Sequence, residues 1–342
     1  METNITKSKN NVTFPTFIVD PSRSAPWIFA FIIWLTVSVF FLTPLWFEPT
    51  LAIQNDNYWN MSEYFHSLGP YPFSHFGPGF PFLIYLLRSI GIDMLGVVII
   101  QKIAVAFTGI ALSHLGRTIG LKPIISLCAA TAFTVFPVVQ AYSSIFVTET
   151  FYLLLSSIGV AIIFRQIKKH SDPSLVWLIL GYSALGIAAL VRGNAVMLLI
   201  GCIVIGLFTT LPRHKILIAG IIAIIPILSW SALNWHWYGH FGSPSSNTYT
   251  VLSFMVRGAL LIGLIGFFVI GGYRQQTAFA VFLCVMLAAH LLTAGAAGHS
   301  RFGYPIDAFS VLALAFFLQH LFYRKSYSQI RLGSLTNHDE IN

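Results

Sequence analysis

Asp56 and Glu63 stand seven residues apart in a stretch that also carries Asn55, Asn57 and Tyr58. A carboxylate held beside a membrane surface is suited to general-base work on a hydroxyl group delivered from the lipid. If the 57–68 segment is helical, the seven-residue spacing puts both acids near one face, about 10 Å apart by the helical rise. That is too wide for a tight carboxylate dyad, so the pattern reads as one base and one accessory group. A third acid, Glu149, falls at the start of an apolar run, where an ionised side chain must find a partner or reach water. Four cations, Lys102, Arg192, Arg257 and Arg301, lie inside or at the edges of other apolar runs. Phosphate is the ligand such groups suit, because the arginine fork holds two phosphate oxygens at once. Snorkelling or pairing with backbone carbonyls is the competing reading for Lys102 and Arg257. His75 and His299 are candidates for proton transfer or hydrogen bonding, although a loop histidine is commonly just solvated.

These groups need a scaffold, and the composition says which kind. The chain has 342 residues, 56% of them hydrophobic and only 9% charged, with a mean hydropathy of +0.78. A soluble domain usually carries about 25% charged residues, so the polar surface required to cover a globule in water is missing. Disorder, a disulfide scaffold and an ordinary soluble enzyme are excluded on the same ground. The first apolar run is too long for a signal peptide. Cys128, Cys202 and Cys284 sit in separate apolar runs without metal-ligand spacing and read as small buried hydrophobes. No Walker glycine loop, dinucleotide fingerprint, HExxH or paired Cys/His set occurs, which argues against nucleotide-driven chemistry.

The expected architecture is all-α, a polytopic transmembrane bundle. A span takes about 20 mostly apolar residues, and ten segments qualify: 26–47, 94–116, 123–144, 147–164, 174–191, 195–212, 215–235, 249–270, 277–297 and 305–323. Loops rich and poor in Lys and Arg alternate between them, and 14 of the 19 basic residues fall on one side together with both chain ends. By the positive-inside rule that side is cytoplasmic. Residues 1–25 and 324–342 are then cytoplasmic tails around a single membrane domain, 26–323. Six of the eleven acids, Glu48, Asp56, Glu63, Asp93, Glu149 and Asp307, collect at the opposite face. The longest external loop, 48–93, is aromatic, and its segments 57–68 and 80–90 read as short helices lying on the membrane surface, the second opened by Pro78-Gly79-Phe80-Pro81. The second long external loop runs from Asn234 to Tyr249.

Taken in order, these pieces resemble the polytopic membrane glycosyltransferases of the GT-C class, in particular the family of dolichyl-phosphate-mannose protein mannosyltransferases and bacterial aminoarabinose transferases. An acid follows the first span, as in Asn55-Asp56-Asn57-Tyr58. A Pro-Gly-aromatic-Pro turn opens an interfacial helix, as at Pro78–Pro81. Pro137 late in span three precedes the Thr148-Glu149-Thr150 start of span four, and Leu190-Val191-Arg192 closes span five. Asn234-Trp235-His236-Trp237-Tyr238-Gly239 leads into a polar external loop, and Arg301-Phe302-Gly303-Tyr304-Pro305 enters the last span. The likeness extends over about residues 26–323.

The resemblance implies transfer of a sugar from a polyprenyl-phosphate donor to an acceptor at the non-cytoplasmic face of the inner or plasma membrane, with inversion at the anomeric carbon. It makes the loop acid Asp56 the base or the group that orients the acceptor, with Glu63 and Glu149 as further acids of the site. Donor phosphate falls to Arg192, Arg301, Lys102 and Arg257, and substrate contacts to Asn55, Tyr58, His75, His299 and Tyr304. No cofactor is required in principle. A divalent cation, used by some distant members, would be held by Asp56 with Glu63 or Glu149. Many members carry two adjacent acids after span one, whereas Asp56 is followed here by Asn57, and the chain ends soon after the tenth span. The acceptor is therefore expected to be a lipid-linked or cell-envelope glycan met by the two long external loops. Two other readings compete: a transporter or flippase of lipid-linked saccharides, for which no inverted repeat is visible, and a non-catalytic subunit of an envelope-assembly complex.

Overall fold

The computed structural model describes residues 21–52, 58–66, 77–169, 173–193, 195–209 and 211–238. Ten α-helices follow one another along these residues: α1 Pro21–Phe47, α2 Tyr58–Met61, α3 Gly79–Ser89, α4 Met94–Thr118, α5 Pro123–Thr134, α6 Pro137–Tyr142, α7 Glu149–Lys168, α8 Leu175–Val191, α9 Ala195–Phe208 and α10 Arg213–Tyr238. Two 3-10 turns, Pro49–Ala52 and Ser62–His66, complete the described elements, and no strand occurs among them.

Four helices, α1, α4, α7 and α10, are long and apolar enough to cross a membrane. The 25 residues of α4 rise about 37 Å, more than the roughly 30 Å of a hydrocarbon core. Exposed apolar side chains such as Ile28, Phe29, Val39 and Phe40 on α1, and Ile221, Ile225 and Leu228 on α10, are what lipid requires and water penalises. The described chain is thus an all-helical membrane protein. The expected spans 26–47, 94–116, 147–164 and 215–235 coincide with these four helices. Spans 174–191 and 195–212 correspond to the shorter apolar helices α8 and α9. The expected spans 249–270, 277–297 and 305–323 lie outside the described residues.

One expectation is corrected. Segment 123–144 is not a single helix but two, α5 and α6, separated at Val135 and Phe136. Pro137 is the cause, since it has no N–H to continue the ladder and disfavours helical geometry in the residue before it. It serves instead as the first residue of α6. Of the expected surface helix 57–68, the described residues form an α-turn over Tyr58–Met61 that tightens into the 3-10 turn Ser62–His66.

Helix ends are set locally. Asp93 caps α4 by accepting a 2.7 Å hydrogen bond from the Gly96 N–H, so this acid has a structural task. At the other end Gly120 takes a φ of 103°, and the Leu121 N–H returns to the Gly116 carbonyl at 2.9 Å. A β-carbon would strain that closing turn. In the core α4 packs against α5 and α7, and α8 is held between α7 and α10. Small residues allow the approach: a β-carbon added at Gly159 would lie 2.8 Å from the Gly181 carbonyl oxygen, and one at Gly186 would fall on the backbone of Ala223.

Candidate functional site

Three sequence motifs that are far apart along the chain meet at one end of the bundle. Glu149 opens α7, where the unpaired N–H groups of the first turn favour a negative charge. Arg192 follows the last residue of α8, with its backbone extended at φ −149° and ψ 119°, so its side chain leaves the helix at the point where the chain turns. The guanidinium Nη1 lies 2.6 Å from Glu149 Oε1; the carboxylate is fully enclosed and the arginine side chain is 12% exposed. Thr148 joins the pair, its hydroxyl donating to Glu149 Oε2 at 3.2 Å and accepting from Arg192 Nη1 at 3.4 Å.

The Pro-Gly-Phe-Pro turn is the third partner. Gly77 and Gly79 press directly on the end of α8: a β-carbon at Gly77 would collide with the Leu190 carbonyl oxygen, and one at Gly79 would stand 2.8 Å from the Val191 nitrogen. Glycine is needed here because backbone touches backbone. Phe80, fully buried, then places its ring 5.7 Å from Phe151 of α7 and 5.2 Å, edge-on, from Tyr58 of α2. Tyr58 is therefore positioned within the same assembly as Glu149 and Arg192.

A second cation organises the segment 58–66 beside α3, and sequence reasoning gave it no role. Arg88, at the end of α3, donates through Nη1 to the Trp59 carbonyl oxygen at 3.0 Å and to Ser62 Oγ at 2.8 Å, and through Nη2 to Glu63 Oε1 at 3.1 Å. Its guanidinium also lies 4.4 Å from the Trp59 ring centre. One side chain thus fastens the 58–66 segment to α3. Trp59 in turn stacks on Phe146 at 5.6 Å, and the Phe146 N–H donates to the Ala52 carbonyl at 2.8 Å. The signal that could have found Arg88 is simple: it is the lone basic residue between positions 48 and 93. Glu63, expected as an accessory acid, is more than half exposed and paired with this arginine.

Lys102 is deeper, almost wholly buried, and its three N–H donors are all used. Nζ lies 2.6 Å from the Gln140 carbonyl oxygen, 3.0 Å from Gln140 Oε1 and 2.9 Å from Ser143 Oγ, with the Phe41 ring at 5.4 Å. Gln101 beside it donates to the carbonyls of Ser143 and Ile145 at 3.1 and 2.7 Å. Gln140 itself donates to the Thr134 carbonyl at 2.6 Å, one of those left without a helical partner where Pro137 interrupts the ladder. The break is therefore sealed by amide and ammonium groups from α4 and α6, and the reading of Lys102 as a cation paired with backbone carbonyls is the one this geometry matches.

Asn55, Asp56, His75, Arg257, His299, Arg301 and Tyr304 lie outside the described residues. Among the described residues no three His, Cys, Asp or Glu side chains gather as a metal site would require. What the described part supplies is an enclosed, charge-compensated arginine at the mouth of the bundle, with aromatic and glycine-rich segments packed around it. A scan against protein-family models and a search of curated proteins both give no match to this chain.

Proposed function

We propose that this chain is a membrane glycosyltransferase that moves a sugar from a polyprenyl-phosphate donor to a lipid-linked or cell-envelope glycan acceptor at the non-cytoplasmic face, with inversion. The observation that carries this reading is the convergence of the Thr148–Thr150, Leu190–Arg192 and Pro78–Pro81 motifs on one buried ion pair. The acceptor hydroxyl oxygen forms the new bond to the anomeric carbon as the bond from that carbon to the phosphate oxygen breaks. The electron pair leaves with the phosphate, and the hydroxyl proton passes to a base. Phosphate leaves readily, so the protein's share of the work is to orient the acceptor, accept the proton and stabilise charge on the departing group.

Those tasks divide among the acids and cations of the chain. Glu149 is enclosed and paired, a poor position from which to take a substrate's proton but a good one from which to fix a guanidinium. It is a positioning residue that aims Arg192 at donor phosphate. Asp56 keeps the role of base, Arg257 and Arg301 complete the cation set, and Lys102 belongs to the framework. Glu63 and Arg88 hold the loop on which the acceptor rests.

The test uses the purified full chain in lipid nanodiscs with labelled polyprenyl-phosphate sugars and a membrane-glycolipid extract. Wild type transfers label, and Asp56→Asn binds donor but loses transfer by about 10²–10⁴-fold, the usual contribution of a general base. Arg192→Gln weakens donor binding by about tenfold or more, as loss of a charge-assisted bond to phosphate demands. Binding without transfer by wild type would replace this reading with a transporter or a non-catalytic subunit, and equal transfer by Asp56→Asn would remove Asp56 as the base.

A further inference from the structure

The end of the bundle opposite Glu149 carries a cationic site of its own. Arg117 lies in the last turn of α4, and Arg165 and Lys168 lie in the last turn of α7. All three charges bear on the imidazole of His114. His114 and the three cations are exposed, and within the described structure their charged ends make no hydrogen bond or ion pair. Each of the four described carboxylates, Glu48, Glu63, Asp93 and Glu149, is at the other end of its helix or in the loops there. The two helix C-termini supply some compensation, about half a negative charge each. Against three full cations that leaves an excess of about two positive charges, a repulsion the described chain does not relieve.

An apolar track leads to this cluster. Ile103, Phe107 and Ile110 of α4 are exposed and follow the 4, 3 and 4 spacing that continues to His114, so they form one stripe with the imidazole at its end. From Ile103 to His114 the helix rises about 16 Å, close to the roughly 15 Å depth of a single leaflet's hydrocarbon. A cavity of about 110 Å³ between α1, α4 and α5 shares Ile110 with the stripe and is lined further by Phe31, Trp34 and Leu127. An ion from solution would have use for the charges but none for the stripe. An amphiphile uses both.

We propose that His114, Arg117, Arg165 and Lys168 bind the phosphate headgroup of an anionic phospholipid in the leaflet at that end, with its acyl chain along Ile103, Phe107 and Ile110. Bilayer-scale attraction of scattered basic residues differs in one respect: it would depend on total charge, whereas this site depends on which charges remain.

Native mass spectrometry and nanodisc binding with labelled phosphatidylglycerol, against phosphatidylcholine as the neutral reference, decide the matter. Wild type retains phosphatidylglycerol over phosphatidylcholine, and the combined R117Q/R165Q/K168Q variant loses that preference by on the order of 100-fold, about fivefold per charge. Arg213→Gln, a basic residue at the start of α10, leaves it unchanged. Should the combined variant fail to fold, the single exposed substitutions R165Q and K168Q each lower retention about fivefold. Equal loss in Arg213→Gln would mean bulk charge alone, and unaltered retention in the cluster variants would overturn the site. Displacement of the lipid by millimolar inorganic phosphate would make it a soluble-anion site instead.

Discussion

Glu149 and Arg192 illustrate how a buried charge is made tolerable and then useful. An isolated carboxylate enclosed by protein is costly, but a partner at 2.6 Å and a hydroxyl between the two remove most of that cost. The pair is not thereby a large net source of stability, and a double-mutant cycle separates the two statements. Glu149→Gln or Arg192→Met alone leaves one uncompensated charge and lowers stability by about 3–5 kcal/mol. The double replacement Glu149→Gln/Arg192→Met recovers most of this, and thermal unfolding in detergent reads the difference. If the single losses simply add in the double variant, the two side chains are not coupled and the geometry at the mouth of α7 and α8 is misread. From sequence, Glu149 and Arg192 were legible as groups that must pair or reach water because each sits at the edge of an apolar run, but nothing in their spacing of 43 positions says that they pair with each other. The opposite holds for Lys102, whose type suggested phosphate and whose neighbours, Gln140 and Ser143, only the fold brings within reach.

At the level of elements, the short helix α3 depends on two glycines for its docking. The Pro-Gly-Phe-Pro turn was readable as a helix start, since proline suits the first turn and glycine the approach to it. That the same glycines are contact points for α8 was not readable, because close backbone approach leaves no trace in the pattern of either segment. Gly77→Ala and Gly79→Ala each force α3 away from Leu190 and Val191, costing about 1–3 kcal/mol as overpacking does. Gly193→Ala, between α8 and α9, where an added β-carbon meets nothing within 4 Å, serves as the neutral comparison. Hydrogen exchange over residues 79–89 rises in the first two variants and not in the third. Unchanged exchange in all three would mean that α3 is not held by this contact. The break between α5 and α6 shows the reverse failure of sequence reading, in which hydropathy ran through Pro137 although the backbone could not.

For the whole molecule, the arrangement of charge is the strongest argument, because it is common to sequence and structure. Basic residues cluster at the ends of α4 and α7 and the start of α10, while the described carboxylates occupy the opposite ends of the helices and the loops between them. This segregation was legible without coordinates, since the positive-inside rule needs only loop composition. Which helices touch across the bundle was not, because the four long and three shorter apolar helices present similar residues to similar neighbours. The orientation itself is open to direct measurement in intact cells. After replacement of Cys128, Cys202 and Cys284 by Ser, a single cysteine is introduced either by Ser89→Cys, at the exposed end of α3, or by Lys169→Cys, just past α7. A membrane-impermeant thiol reagent modifies the first from outside, and the second only after the membrane is opened. The reversed pattern would move the Glu149–Arg192 end to the cytoplasm, where a polyprenyl-phosphate sugar on the outer leaflet could not reach it. Both the proposed transfer and the proposed phospholipid leaflet would then have to be exchanged between the two faces.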